Sequence, residues 1–184
     1  MKIMKAISKH LNISTSQPLY YLCHMRILMV CLGNICRSPL AEGIMSHHAQ
    51  AAGLNWQVDS AGTGGWHTGE QPHPMSRKVA MKNGIDISYQ KARTFVKEDM
   101  LQFDQIFVMD QQNYSDVKYL SGDNWNPEKV DLLLNLITPG SNQEVPDPWS
   151  HPEEKYHEVF ALIDRACRIF VESYLNQQTS NSNH

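Results

Sequence analysis

The sequence predicts an α/β domain built on a parallel β-sheet with helices on both faces. Two observations predict it. Short apolar runs of strand length alternate with longer stretches of helical periodicity, the order that buries a parallel sheet under crossover helices. The first run, residues 26–30, is apolar after Arg26 instead of alternating, as in a strand covered on both sides.

The elements follow in order. Residues 26–30 read as a buried strand that ends in a glycine-bearing loop. Residues 38–52 read as a helix, with Ser38 as its N-cap and Pro39 at the first helical position, where a missing N–H costs nothing. Residues 56–59 form a second short strand. Residues 60–69 carry four glycines and read as a loop. A helix over 76–83 stops at Gly84. A short helix over 96–103 has Lys97, Glu98 and Asp99 available to face solvent. Residues 105–109 form a strand, 111–120 a helix and 130–134 an apolar strand. An irregular stretch with Pro139, Pro146 and Pro148 follows. Residues 153–176 carry Val159, Leu162, Ile163, Ala166, Ile169 and Phe170 at helical spacing and read as a long amphipathic helix.

The expected organisation is one domain over residues 25–176. Residues 1–24 read as a disordered extension, or as sequence upstream of a start at Met25; residues 177–184 read as a disordered polar tail. The first segment has lysines but no arginine and no apolar run of signal-peptide length, which disfavours an organellar or secretory leader. No run of about 18 apolar residues suggests a membrane span. A formal net charge of −3 argues against nucleic-acid binding by bulk charge. Four cysteines, Cys23, Cys31, Cys36 and Cys167, are too few and too scattered for a disulfide framework, and fit a reducing cytoplasmic setting.

The chemistry lies in residues 31–38, Cys-Leu-Gly-Asn-Ile-Cys-Arg-Ser. A strand ends, the chain curls over five residues, and a helix begins. Gly33 can adopt positive φ freely and Asn34 tolerates it, so successive N–H groups can turn toward one centre and form an anion nest. The helix dipole adds positive potential, and the Arg37 guanidinium matches two phosphate oxygens at once. The same field favours the thiolate of Cys31, the form that acts as a nucleophile. Attack on phosphorus would give a phosphocysteine, with the nest and Arg37 stabilising the equatorial oxygens. No group of histidines and carboxylates at ligand spacing accompanies the loop, so neither metal nor cofactor is expected.

The motif CLGNICRSPLAE resembles the signature of the low-molecular-weight protein tyrosine phosphatases. Further pieces fit in order: DSAGTGGWHTG at 59–69, KAR at 91–93, MD at 109–110 and PDPW at 146–149. The resemblance covers about residues 26–175 and implies a three-layer fold with four parallel strands in the flavodoxin-like order 2-1-3-4. It implies hydrolysis of phosphotyrosine and small aryl phosphates, by a monomer or weak dimer acting on phosphotyrosine-containing proteins. Asp147 is then the general acid that protonates the phenolate and the base for the hydrolytic water. Trp66 and Trp149 would line the mouth of the site, and Leu32, Gly33, Asn34, Ile35, Cys36 and Ser38 would bind substrate within the loop. An apolar residue such as Ile35 accompanies phosphotyrosine in the family, and Thr accompanies phosphoarginine. Ser38 would hydrogen-bond Cys31. Asn34, Ser60 and Gln90 would form a supporting network, Gln90 standing where many relatives have His. Asp110 would hold Arg37 or Arg93. Cys36 could trap oxidised Cys31 as a disulfide. Trp149 and Ser150 stand where many relatives carry two tyrosines, so regulation through those tyrosines is not expected.

Three rivals use the same loop. A phosphoarginine phosphatase shares the fold. A thiol-based arsenate reductase needs two further cysteines downstream, and none lies between Cys36 and Cys167. A non-hydrolytic phosphate-binding or phosphocarrier module has no use for an acid such as Asp147.

Overall fold

Strand β1, Arg26–Cys31, is the centre of the molecule. Its side chains from Ile27 to Cys31 are all buried, which explains the unbroken apolar run. The structure is a computed structural model that describes residues 24–182. The expectations for residues 1–23 and for residues 183–184 lie outside it.

Helix α1 spans Arg37–Ala51 and leads to strand β2, Gln57–Gly62. Helix α2 (Pro74–Lys82) and the short α3 (Asp99–Gln102) precede strand β3, Gln105–Val108. Helix α4 (Gln111–Ser121), two 3-10 turns and strand β4 (Val130–Leu132) follow, then a further 3-10 turn over Leu133–Leu136 and the long α5, Glu153–Ser182. The four strands are all parallel, in the order β2-β1-β3-β4. The chain leaves β1 for β2 on one side and crosses back to β3 on the other. This reversal opens a crevice at the carboxyl end of β1, where the Cys31 loop sits.

Alternate residues of β1 feed two cores. Ile27, Met29 and Cys31 pack with Leu40 and Ile44 of α1 and with Val159 and Ile163 of α5. Leu28 and Val30 pack on the other face with Phe95, Met100 of α3 and Val117 of α4. The sequence-based reading of fold class and strand order therefore holds.

Several boundaries differ from expectation for identifiable reasons. Strand β2 runs on through Ser60, Ala61 and Gly62, because their pairing with Met29, Val30 and Cys31 outweighs the glycine-rich composition. Gly62 is required there: a Cβ would lie 2.7 Å from the Leu32 carbonyl oxygen. Helix α2 begins at Pro74, where His73 caps it by accepting from the Met75 N–H. Helix α3 is shorter than expected, and Asp99 does not face solvent but accepts from Arg93 and from the Val96 N–H. Strand β4 ends at Leu132 before the 3-10 turn. Helix α5 continues past Asn176 to Ser182, so the segment from 177 is helical there, not a disordered tail. Polar side chains extend it by bonding back one turn, Thr179 to Leu175 and Ser180 to Asn176.

Candidate active site

The loop after β1 curls as its sequence suggested, with one exchange of roles. Asn34, at φ 53°, takes the left-handed conformation; Gly33 does not. At Gly33 a Cβ would lie 3.2 Å from Cδ2 of His67, a tight approach that the histidine side chain would have to yield to by a few tenths of an ångström. Helix α1 starts at Arg37 with Cys36 in the cap position and no side-chain cap, so Ser38 is not the N-cap. Pro39 still falls in the first turn, where its missing N–H leaves no intrahelical bond unmade.

Ser38 is occupied elsewhere. Its hydroxyl lies 3.0 Å from Cys31 Sγ, and the Asn34 N–H donates to the same sulfur at 3.3 Å. The Asn34 amide donates to Ser38 Oγ at 2.9 Å and to Ser60 Oγ at 2.8 Å. Its carbonyl oxygen accepts from the Arg93 N–H at 2.8 Å. Every polar atom of the Asn34 side chain is thus engaged, which holds its unusual backbone. Because Ser38 Oγ receives the Asn34 proton, its own proton points to Cys31 Sγ or to the Ala61 carbonyl at 3.4 Å. The sulfur is closer.

Arg37 is almost fully buried, at 3 % exposure. One arm of its fork donates to Asp110 at 2.6 Å and to the Val145 carbonyl at 3.2 Å. The other donates to Asp147 at 3.0 Å. Burial works against the guanidinium charge, but Cys31, Asp147 and Asp110 outweigh it and hold the group above its ordinary value. Asp110 therefore serves Arg37; Arg93 is clamped instead by Asp59 and Asp99. Asp147 is fixed further by accepting from the Trp149 N–H at 3.0 Å.

These groups open on a cavity of about 270 Å³. Cys31, Leu32, Gly33, Ile35, Cys36, Arg37 and Asp147 line it, with Trp66, His67 and Trp149 at its walls. Trp66 is 72 % exposed and Trp149 about half exposed, so both belong to a rim, not to the core. His67 was not foreseen; neither was His73, which packs edge-on against Trp149 and stacks on Tyr156. The signal for both is weak in the sequence, because histidines are scattered along this chain.

Gln90 departs from expectation. It is buried at 6 % exposure, yet among the described residues neither amide atom has a hydrogen-bond partner, so it does not join the Asn34–Ser60 network. Ser60 donates instead to Glu42 at 2.6 Å.

The family is decided by comparison. A family model described as "Low molecular weight phosphotyrosine protein phosphatase" matches residues 26–181. The chain belongs to the low-molecular-weight protein tyrosine phosphatases. The phosphatase is 38% identical over 153 residues to the low molecular weight phosphotyrosine protein phosphatase of Schizosaccharomyces pombe, covering 82% of this chain and 97% of the relative. It is 36% identical over 149 residues to the low molecular weight protein-tyrosine-phosphatase YfkJ of Bacillus subtilis, covering 80% and 94%. The crystal structure of YfkJ superposes with a TM-score of 0.77 over 84% of this chain and 97% of that one. A structure of Vibrio vulnificus Wzb in complex with benzylphosphonate superposes with a TM-score of 0.73 at 26% identity, over 81% and 98%. Among the described residues no helix of the phosphatase is long and apolar enough to cross a membrane.

Proposed function

We propose that this phosphatase hydrolyses phosphotyrosine in proteins, and small aryl phosphates, through a phosphocysteine on Cys31. One observation carries the reading: the Cys31 sulfur, the Arg37 fork and the Asp147 carboxyl converge on one cavity rimmed by two tryptophans. The Asn34 N–H and the Ser38 hydroxyl converge on the sulfur and hold it facing the cavity. The N–H groups of the first turn of α1 have no intrahelical acceptors and suit phosphate oxygens.

The steps follow from this placement. A phosphoryl group entering the cavity takes the Arg37 arm now held by Asp147, leaving that carboxyl beside the leaving oxygen. Cys31 attacks phosphorus, the P–O bond breaks, and Asp147 gives its proton to the departing phenolate. Asp147 then takes a proton from water, which attacks phosphorus and releases inorganic phosphate and the Cys31 thiolate. The tryptophan rim offers apolar faces to an aromatic ring, consistent with the benzylphosphonate that Wzb binds. Ile35, buried beside the cavity, adds apolar surface where phosphoarginine enzymes of the family carry Thr. The reading places the enzyme in a reducing cytoplasmic setting, since Cys31 acts only in its reduced form, and as a monomer or weak dimer.

A direct test compares a phosphotyrosine peptide with a phosphoarginine peptide, each with and without chelator. Phosphotyrosine should be preferred by at least about tenfold in kcat/KM, with chelator having no effect. Preference for phosphoarginine, or loss of activity with chelator, would overturn this assignment.

Cys36 is assigned a protective role. Burial, reinforced by Cys31, pushes its thiol up to about 12, so it stays protonated and resists direct oxidation. When peroxide converts Cys31 to the sulfenic acid, the Cys31 charge that helps keep Cys36 protonated is gone; Cys36 can then give up its proton and attack that sulfur, the hydroxyl leaving as water, to form a disulfide that thiols reduce. Peroxide inactivation should therefore reverse with dithiothreitol in the wild type and become irreversible in Cys36→Ser. Equal reversibility in both proteins would remove the role.

A further inference from the structure

His73 stands behind the rim of the cavity. It does not line the cavity itself, but its ring meets that of Trp149, which does, at 5.3 Å and 64°. Trp149 needs such support. It is 49 % exposed, and its other ring neighbour among the described residues, His67, is more distant at 6.0 Å. The bond from its N–H to Asp147 fixes the backbone and not the rotamer of the indole. The His73 ring, by contrast, is fixed from two helices. Its Nδ1 accepts the Met75 N–H at 3.3 Å, capping α2, and the Tyr156 hydroxyl of α5 at 3.1 Å. A backbone N–H can only donate, so Nδ1 carries no proton and the ring is the neutral tautomer protonated on Nε2. Burial and the charge of Arg77 hold its pKa below the ordinary histidine value and keep the ring in that form. Its face lies on the buried ring of Tyr156 at 5.4 Å and 12°. Helices α2 and α5 thus hold one imidazole in place, and the imidazole braces the tryptophan.

We propose that His73 is a positioning residue for substrate specificity: it fixes the Trp149 indole as a wall for the aromatic ring of the substrate, and so favours aryl over other phosphate ligands. The inference rests on the reading of the cavity as an aryl phosphate site. Its physical basis is preorganisation. A tryptophan that turns freely must be ordered at each binding event, and that cost is taken from affinity; one already braced against His73 has lost the freedom beforehand. In the same reading the phosphoryl group is taken by the Arg37 fork and the first turn of α1, so the wall bears on the aryl part alone. His73 also caps α2, which is a structural role. The two roles use different features of the side chain. The cap needs the acceptor Nδ1, and the wall needs a flat ring between Tyr156 and Trp149.

The test uses the full chain and compares two competitive inhibitors of p-nitrophenyl phosphate hydrolysis. Inorganic phosphate fills the loop alone; benzylphosphonate adds an aromatic ring. His73→Asn removes the ring but keeps an oxygen for the Met75 N–H, and asparagine is a good cap. It should raise Ki for benzylphosphonate by about three- to tenfold, the worth of one aromatic contact, and change Ki for phosphate by less than about twofold. His73→Phe makes the opposite exchange, keeping a ring and losing the cap. It should hold Ki for benzylphosphonate within about twofold of wild type while melting several degrees lower. In a Trp149→Ala background, His73→Asn should have no further effect on either inhibitor, since the wall is already gone. Should His73→Phe not fold, that background decides the matter. Wild-type affinity for benzylphosphonate in His73→Asn would overturn the inference, as would equal losses for both inhibitors. So would a His73→Phe variant as weak as His73→Asn, or an undiminished effect of His73→Asn without Trp149. Each of these leaves the aryl phosphate reading standing. That reading fails, and this inference with it, only if benzylphosphonate does not inhibit the wild type.

Discussion

Replacing Cys31 with serine should abolish turnover, with kcat/KM for p-nitrophenyl phosphate falling by at least about 10⁴-fold. An alcohol ionises far less readily than a thiol, so the serine oxygen stays protonated and weakly nucleophilic. Nothing else in the cavity can take its place. Cys36 is the nearest candidate, but its thiol is held protonated by burial and the proximity of Cys31. Phosphate binding should survive the change, because the guanidinium and the first turn of α1 are untouched. Titration with inorganic phosphate would therefore separate loss of chemistry from loss of the site. Full activity in Cys31→Ser would end the covalent mechanism.

Asp147→Asn should cost about 10²–10⁴-fold on phosphotyrosine, the range of general acid catalysis, and the loss should depend on the leaving group. A tyrosine phenolate, whose conjugate acid has a pKa of about 10, leaves poorly without a proton. A nitrophenolate leaves well without help. The variant should thus be impaired much less on p-nitrophenyl phosphate in the first step than on the peptide, and should release a burst of nitrophenol before slow steady turnover. Arg37 and the Trp149 N–H donate to different oxygens of Asp147, so asparagine keeps one of the two contacts, while Asp110 and the Val145 carbonyl still hold Arg37 in place. Equal losses on both substrates would mean that Asp147 acts as a scaffold for Arg37 and not as an acid.

How far the site was legible depended on whether its parts are local. The Cys31–Ser38 loop is contiguous, and its strand, glycine, arginine and helix start carry their chemistry on their face. Asp147 is separated from Arg37 by 110 positions, and Asp-Pro alone is only a turn signal; the family resemblance identified it, and the 3.0 Å contact places it beside Arg37. The parallel sheet was legible because β1 is apolar on both faces, whereas the extent of β2 was hidden by glycines that pairing tolerates. Ser38 was misassigned as a cap because hydroxyls at helix starts usually serve the backbone, and here the sulfur competes successfully. Glu42 went unnoticed although a signal existed: it is the one charge in the run Leu-Ala-Glu-Gly-Ile-Met, on a helix buried through most of its first turns. Gln90 was noticed as a departure, but it makes no hydrogen bond to the Asn34 network among the described residues, and Ser60 donates to Glu42 instead.

The most direct measurement is mass spectrometry of the Asp147→Asn enzyme, quenched in acid during turnover of p-nitrophenyl phosphate. The good leaving group lets the first step proceed, while the missing base delays hydrolysis, so the intermediate accumulates. One phosphoryl group should be found on the peptide carrying Cys31, and none in the Cys31→Ser, Asp147→Asn double variant. A phosphoryl group on any other residue, or none during the nitrophenol burst, would contradict covalent catalysis by Cys31.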